Sequence, residues 1–315
     1  MATHSNLPSQ NQLQQNLQHH IQQYQNLKQP TQIHQQQTPN HYQVIHRRGL
    51  HGPIKGILLD ISGVLKDGDI PIRGSVEAVK RLQKSSLRYR VVTNETLKPK
   101  KTIHDTLNLL GYEINEQHMF SPVPAMLEIL RKEELRPHLL VHPRMIEEFQ
   151  GIDVENPNCA VIGDAEEFFT YESLNECFRK LIAMDNPSLF SLGIGKYYLD
   201  DDGLALDVGS FTKGIEYATG VTARIVGKPS AEFFLSAVRD MKLEPSEVVM
   251  IGDDIENDVG GAQKCGIRGV LVRTGKFRKS DERHIVKPDA IFNNLLEAVT
   301  VILEKCQFNS NFGRA

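Results

Sequence analysis

Residues 56–65, G-I-L-L-D-I-S-G-V-L, carry the clearest structural signal in the chain. The apolar residues 57–59 are typical of a short buried strand. Asp60 stands at the carboxyl end of that strand, and Gly63 follows where the backbone can turn sharply. Because ligands of open α/β sheets bind outside the carboxyl ends of the strands, this carboxylate is well placed to do chemistry.

Length and composition indicate a soluble globular protein. A chain of 315 residues can form one large or two medium domains, and 40% hydrophobic and 24% charged residues are ordinary for such domains. The formal net charge of −3 gives no reason to expect nucleic acid or an anionic membrane as partner. No apolar run approaches the ~18 residues that a membrane span needs.

The four cysteines lie far apart and form no C-x-x-C pair, which argues against a zinc site and a disulfide scaffold. The amino-terminal residues also lack the charged-then-apolar pattern of a secretory signal. We therefore expect a reduced compartment, the cytoplasm, with the nucleus as a second location.

The first 53 residues differ from the rest of the chain, because Gln dominates them and no acidic residue precedes Asp60. Such a polar tract predicts a disordered tail. A second interpretation is a partner-binding or coiled-coil helix, since apolar residues recur three or four positions apart. Those residues are Leu13, Leu17, Ile21, Tyr24 and Leu27.

From about residue 55 onward, strand-like and helix-like segments alternate. Strands are predicted at 56–59, 89–93, 138–141, 159–162, 189–192, 224–227, 247–251 and 268–272. Helices are predicted at 75–84, 98–110, 123–133, 171–183, 230–241, 256–264 and 294–304. This alternation predicts an α/β fold with a doubly wound parallel sheet covered on both faces.

Four polar motifs follow predicted strands. Each has a plain structural explanation: a strand-end Asp as a cap, an Asn in a turn, a surface Lys or an acidic loop. Because a parallel sheet would gather all four on one edge, we expect them to form one site. They contain Asp60, Thr93 and Asn94, Lys228, and the acidic group Asp253, Asp254 and Asp258.

The chemistry of these motifs is complementary. Crowded carboxylates need a hard cation, and oxygen ligands without His or Cys select Mg²⁺ over zinc. A carboxylate, Mg²⁺, a lysine and hydroxyl or amide donors together form a site for a phosphoryl group.

The order D-I-S-G-V, T-N, G-K-P and G-D-D-I-E-N-D resembles the haloacid dehalogenase superfamily of phosphatases. Longer segments, such as V-G-K-P-S-A-E-F-F and V-R-T-G-K-F-R, resemble the members that act on phospholysine, phosphohistidine and inorganic pyrophosphate. The resemblance implies a Rossmann-like core at 54–121 and 223–306. It also implies an inserted C2-type cap at 122–222 and a carboxyl-terminal tail at 307–315. His142, Tyr171, Tyr197 and Tyr198 are the cap residues that could contact substrate, although such a Tyr more often packs in the core.

The resemblance also implies a role for each motif. Asp60 is the nucleophile that forms an aspartyl-phosphate, and Lys228 neutralises the phosphoryl oxygens. Mg²⁺ is expected on Asp60, the Ser62 carbonyl and Asp253, with Asp254 and Asp258 holding it through water or orienting Lys228. The expected substrate is a phosphorylated small molecule or a phospho-His or phospho-Lys protein, and six residues are expected to bind it. By analogy, a homodimer is also expected. The six are Asp60, Ile61, Ser62, Thr93, Asn94 and Lys228.

Ser62 departs from the superfamily pattern, in which the residue two past the nucleophile is an Asp that protonates the leaving group. Substrates that need little external protonation, such as P–N compounds and pyrophosphate, would tolerate this change. Three other interpretations stay open: a broad phosphomonoesterase, a weakly active module that binds a phosphorylated protein, and an interaction role for the Gln-rich tail.

Overall fold

The structure, a computed structural model, describes residues 49–200 and 203–312. Most of the Gln-rich tail, including the apolar residues that could form a helix, lies outside the described residues. None of the described helices combines the length and apolar character that crossing a membrane requires.

The strands are β1 (Gly56–Leu59), β2 (Lys66–Asp67), β3 (Ile70–Pro71), β4 (Arg88–Val92), β5 (Met119–Phe120), β6 (Pro137–Leu140), β7 (Cys159–Ile162), β8 (Leu189–Ser191), β9 (Tyr197–Asp200), β10 (Gly203–Leu206), β11 (Arg224–Ile225), β12 (Val248–Gly252), β13 (Arg268–Val272) and β14 (Ala290–Phe292). The helices are α1 (Ser75–Gln83), α2 (Lys100–Leu109), α3 (Pro122–Lys132), α4 (Tyr171–Ile182), α5 (Val208–Thr219), α6 (Ala231–Asp240), α7 (Gly261–Lys264) and α8 (Leu295–Phe312). A π-helical turn at Ile255–Gly260 leads directly into α7.

The main sheet has six strands in the order β14-β13-β12-β1-β4-β5, and all its neighbours run parallel. Strand β1 lies between β12 and β4, so that Leu59 is level with Ile251 on one side and Val91 on the other. The carboxyl ends of three strands that precede predicted site residues therefore meet at one edge. The predicted α/β class with a doubly wound parallel sheet is confirmed.

Alternate residues of the central strands bury their side chains against opposite helical layers. Ile57 and Leu59 pack in the cluster that contains residues of α1, α2 and α8. Leu58 packs instead with the aromatic residues Phe233 and Phe234 of α6. Because both faces are covered, the strand is apolar throughout, as expected for a parallel sheet.

A second parallel sheet has the order β11-β8-β7-β6. Helix α3 packs on one face of it, and α4 and α5 pack on the other. This sheet extends to Ile225, three residues past the predicted cap boundary at 222, and α8 continues to Phe312, into the predicted carboxyl-terminal tail. The proposed domain boundaries remain predictions.

The buried carboxyl group of Asp164 makes the stability of this second sheet depend on pH. Asp164 follows β7 and is 9% exposed. Burial, followed by repulsion from Asp207, raises its pKa from the ordinary 3.8 to about 7. Between pH 3.8 and about 7, Asp164 therefore keeps its proton in the folded protein but loses it in the unfolded chain. The stability that this group contributes below pH 3.8 is lost as the pH rises to about 7.

Asp164→Asn should remove that loss, because the amide stays neutral. We expect the free energy of unfolding of this variant, relative to the unmodified protein, to rise by about 3 kcal/mol between about pH 5 and about pH 8. Urea unfolding at both pH values measures it, with Asp185→Asn as an exposed control. An equal difference at the two pH values would contradict the shifted pKa.

Candidate active site

Asp60, Thr93 and Asp253 directly follow β1, β4 and β12 at one edge of the main sheet, and each is nine-tenths or more buried. Lys228 reaches this edge from a different sheet. The expectation that one sheet carries all four motifs is wrong for this residue, because β11 pairs with β8 in the second sheet. The loop after β11 carries the lysine from the second sheet to the edge of the first.

The buried ammonium of Lys228 lies between two carboxylates. Its Nζ is 2.6 Å from Asp60 Oδ1 and 2.8 Å from Asp258 Oδ1, and the lysine is 3% exposed. Burial alone would lower the pKa of Lys228, but the charges of Asp258 and Asp60 outweigh it and raise this pKa above its usual value. The site therefore keeps a permanent positive charge beside Asp60.

Asn94 holds the backbone that presents this lysine. Its Oδ1 accepts the main-chain N–H of Lys228 at 2.8 Å, and its Nδ2 donates to the carbonyl of the same residue at 2.8 Å. The side chain is thus a positioning group for Lys228, while the predicted contact of Asn94 with a phosphoryl oxygen stays a prediction.

Thr93 lies at the same edge, 2% exposed. Its Oγ1 accepts the main-chain N–H of Glu95 at 3.0 Å, which leaves the hydroxyl proton to be donated. This arrangement suits the predicted hydrogen bond from Thr93 to a substrate oxygen.

The carboxylate of Asp253 is enclosed by backbone. Gly63 and Gly275 both have positive φ and touch it so closely that a Cβ on either residue would collide with Oδ2. Oδ2 accepts the main-chain N–H of Lys276 at 2.8 Å, whereas Oδ1 is buried and has no hydrogen-bond partner among the described residues. Burial, opposed by Lys276 but supported by the charges of Asp60 and Asp258, raises the pKa of Asp253 well above its ordinary value.

These carboxylates fit a metal ion. Asp60, Asp253 and Asp258 each offer an oxygen, and the three oxygens lie within 4.8 Å of one another. An orphaned buried oxygen and three crowded carboxylates are what a hard cation would neutralise. The acid-rich site thus agrees with the predicted metal site, but it brings in Asp258, which the predicted ligand set omits.

Burial raises the pKa of Asp258 to about 7, opposed by Lys228 and supported by Asp60. Asp254 behaves differently. Its oxygens accept the main-chain N–H groups of Glu256 and Asn257 at the start of the π-helical turn, and Lys276 Nζ lies 3.0 Å away. Although burial acts against it, Lys276 and these hydrogen bonds lower the pKa of Asp254 to about 2.

The residues after the predicted nucleophile form a tight turn. The carbonyl of Ile61, a buried residue, accepts main-chain N–H groups from Val64, Leu65 and Lys66. Ser62 is exposed at the outside of this turn. Its small hydroxyl stands where the superfamily pattern would place a carboxyl group.

A cavity of about 270 Å³ opens beside Asp253. It is lined by Tyr197, one of the predicted substrate-contact residues, and by basic residues that sequence reasoning missed. Lys196 and Tyr197 reach it from the β8–β9 region, and Lys276 and Arg278 reach it from the loop after β13. Arg278 lies over the Tyr197 ring, 4.3 Å from its centre. The available signal was the basic segment T-G-K-F-R, which directly follows a predicted buried strand.

Three other predicted substrate-contact residues do not line this cavity. Tyr171 is 86% exposed at the start of α4. His142 is buried, and its Nδ1 accepts the main-chain N–H of Arg144 at 3.1 Å. Its ring lies near Glu166 and Glu167, but both of these carboxylates are exposed. Tyr198 is adjacent to the cavity residue Tyr197 but does not itself line the cavity.

Comparison with known proteins agrees with this geometry. Residues 57–155 match the family described as haloacid dehalogenase-like hydrolase, and residues 225–298 match a second HAD-hydrolase-like family. The phospholysine phosphohistidine inorganic pyrophosphate phosphatase of Danio rerio is 54% identical over 79% of this chain and 94% of that protein. The Homo sapiens protein of the same name is 50% identical over 80% of this chain and 95% of its own length.

The fold also has solved counterparts. A 4-nitrophenylphosphatase from Thermotoga maritima superposes with a TM-score of 0.72 at 26% identity, covering 79% of this chain and 97% of that one. A p-nitrophenyl phosphatase from Archaeoglobus fulgidus gives a TM-score of 0.72 at 24% identity, covering 79% of this chain and all of that one, which supports the fold. This chain is a phosphatase that belongs to the haloacid dehalogenase-like hydrolases and, within them, to the phospholysine phosphohistidine inorganic pyrophosphate phosphatase family.

Proposed function

We propose that this chain is a Mg²⁺-dependent phosphatase that hydrolyses the P–N bonds of phosphohistidine, phospholysine and imidodiphosphate, and inorganic pyrophosphate, through an aspartyl-phosphate on Asp60. The names of the relatives support the substrate class. The observation that carries the proposal is the buried Lys228 ammonium, 2.6 Å from Asp60 Oδ1.

The main obstacle to this reaction is charge repulsion, because an anionic carboxylate must approach an anionic phosphoryl group. At about 4 Å and an effective dielectric constant near 20, a unit pair of like charges costs about 4 kcal/mol. An activation barrier that is higher by this amount slows the reaction nearly a thousandfold. Lys228 offsets it by placing a fixed positive charge next to the attacking carboxylate, and Thr93 donates a hydrogen bond to a phosphoryl oxygen.

We assign the metal to Asp60, Asp253 and the carbonyl of Ser62, with Asp258 as the nearest further carboxylate. Mg²⁺ bound there would supply positive charge to the transferring phosphoryl group. The buried Oδ1 of Asp253, which has no hydrogen-bond partner in the part of the chain that the structure describes, supports this assignment.

Ser62 cannot protonate a leaving group well at neutral pH. A phosphohistidine or phospholysine nitrogen takes its own proton before the P–N bond breaks, and pyrophosphate releases a phosphate. These leaving groups therefore need little help from the enzyme, whereas an alkoxide leaving group needs a proton from a nearby acid.

Ser62→Asp should shift this preference. Because the new carboxyl group could act as a general acid, we expect turnover of alkyl phosphate esters to gain about 10- to 100-fold relative to turnover of P–N compounds. The comparison is the ratio of kcat/KM values for the two substrate classes, with Ser62→Asn as a control of similar size. An unchanged ratio would refute this explanation of Ser62.

The substrate panel tests the proposed function itself. Phosphate release is measured from phosphohistidine, phospholysine, imidodiphosphate, pyrophosphate and p-nitrophenyl phosphate, before and after chelation of divalent ions. We expect release from the P–N compounds and pyrophosphate, its loss with EDTA and its recovery with Mg²⁺. The 4-nitrophenylphosphatase likeness makes a broad phosphomonoesterase the second candidate, and turnover of p-nitrophenyl phosphate alone would favour it.

We further propose a homodimer that acts in the cytoplasm and also in the nucleus, with phosphorylated small molecules or phospho-His and phospho-Lys proteins as partners. Exposed apolar side chains at Leu206 of β10 and Tyr217 of α5 support a contact through the predicted cap. Sedimentation analysis of the full chain tests the dimer, and a monomer at micromolar concentration would contradict it.

A further inference from the structure

Arg278 lines the cavity beside Asp253. Its guanidinium lies 4.3 Å from the centre of the Tyr197 ring. In the parts of the chain that the structure describes, no carboxylate lies within ion-pair distance of it. Arg278 is exposed. An exposed arginine that is held against an aromatic ring and faces no carboxylate among the described residues is suited to bind an anionic ligand.

The two lysines of the cavity, and the imidazole of His284, already face carboxylates. Lys276 Nζ lies 3.0 Å from Asp254, and Lys196 Nζ lies 2.6 Å from Glu256. His284 Nε2 lies 3.3 Å from Glu256 as well. The remaining carboxylate, Asp281, accepts the main-chain N–H of Arg278 at 2.7 Å and so fixes the loop rather than the guanidinium.

Tyr197 gives the guanidinium a fixed orientation. The tyrosine belongs to β9, which pairs with β10 in a separate two-stranded sheet, whereas Arg278 follows β13 of the main sheet, so the pair joins the β9–β10 hairpin to the edge of the main sheet. Stacking on a ring occupies the face of a guanidinium and leaves its N–H edge available for hydrogen bonds. The pair therefore presents donors to whatever occupies the cavity beyond Asp253.

We propose, building on the function proposed above, that Arg278 binds the departing phosphate when the substrate is a diphosphate. A bond forms between an Asp60 oxygen and phosphorus, and the bridging P–O bond breaks. The electron pair of that bond goes to the departing phosphate, whose increased charge the guanidinium neutralises. Water then hydrolyses the aspartyl-phosphate to release the second phosphate.

This role complements the serine at position 62. A fixed positive charge stabilises an anionic leaving group without transferring a proton, so a diphosphate can react without a carboxyl group there. A departing imidazole or amine carries no such negative charge and gains little from Arg278. The residue therefore sets the preference between substrates with an anionic leaving group, pyrophosphate and imidodiphosphate, and those that release an imidazole or an amine, phosphohistidine and phospholysine.

Inhibition constants for pyrophosphate and orthophosphate test this subsite, measured by competition with p-nitrophenyl phosphate turnover in the full chain. In Arg278→Gln, we expect the ratio of the pyrophosphate constant to the orthophosphate constant to rise about 10- to 100-fold. Arg278→Lys should recover part of this ratio, and Lys279→Gln, which removes the neighbouring exposed cation, should leave it unchanged. A ratio that stays within about twofold in Arg278→Gln would overturn the inference.

The same experiment separates this inference from the proposed function. Hydrolysis of pyrophosphate by the unmodified protein together with an unchanged ratio rejects the Arg278 subsite alone. A raised ratio without hydrolysis of pyrophosphate supports the subsite and rejects the proposed diphosphate activity. Equal weakening of both inhibitors would show that Arg278 acts only by holding Tyr197 in place, which also overturns the inference.

Discussion

Asp60→Asn is expected to reduce kcat on every substrate by about 10³-fold or more, because the amide cannot form the covalent intermediate. Stability should change little. The substitution removes one partner of Lys228, but Asp258 still pairs with that ammonium at 2.8 Å. It also removes a negative charge from the crowded group with Asp253 and Asp258. Steady-state kinetics and thermal unfolding measure the two effects separately.

Asp69→Asn is the matched control, because Asp69 is an exposed carboxylate on the loop that follows the site turn, 3.9 Å from Lys98. It should retain full activity. If Asp60→Asn turned over pyrophosphate as fast as the unmodified protein, the module that only binds phosphorylated proteins would become the better explanation.

Lys228→Met is expected to lower both activity and stability. Loss of the positive charge beside the attacking carboxylate should reduce kcat/KM by about 10²- to 10³-fold. The substitution also leaves Asp60 and Asp258 buried without their shared partner, and breaking such an ion pair costs about 3–5 kcal/mol. Kinetics and urea unfolding measure these effects, with Lys180→Met as an exposed control.

A double variant separates the two effects. Lys228→Met combined with Asp258→Asn removes the lysine and one of its carboxylates together, so part of the lost stability should return. Activity should not return, since nothing replaces the charge beside Asp60. Recovery of activity in the double variant would show that Lys228 serves only to keep the fold intact.

The parallel core was predictable because its strands are continuous apolar runs. Predicted strands 56–59 and 159–162 coincide with β1 and β7, in which every residue is buried. Local sequence patterns were sufficient for such strands, since burial on both faces requires an apolar residue at each position. Asp60 and Asp253 could be placed at the sheet edge for the same reason.

Long-range pairing limited the rest of the prediction. The sequence around Lys228 indicates a strand end, but which sheet that strand joins depends on residues more than 30 positions away, in β8. A binding role for Arg278 was not predictable from local sequence, because its environment depends on Tyr197, which is distant in sequence. Helix α5 was not predicted because Gly209 and Gly214 weaken its helical pattern. The Asp207 side chain caps its first turn, but one capping residue is too weak a signal to predict a helix.

Identification of the phosphorylated residue tests the central claim most directly. The unmodified protein is mixed with pyrophosphate or a phosphohistidine compound, quenched with acid within one turnover, digested and examined by mass spectrometry. We predict one additional phosphoryl group on the peptide that contains Asp60, and its absence in Asp60→Asn. A phosphoryl group on another residue, or rapid turnover with none on Asp60, would contradict the account.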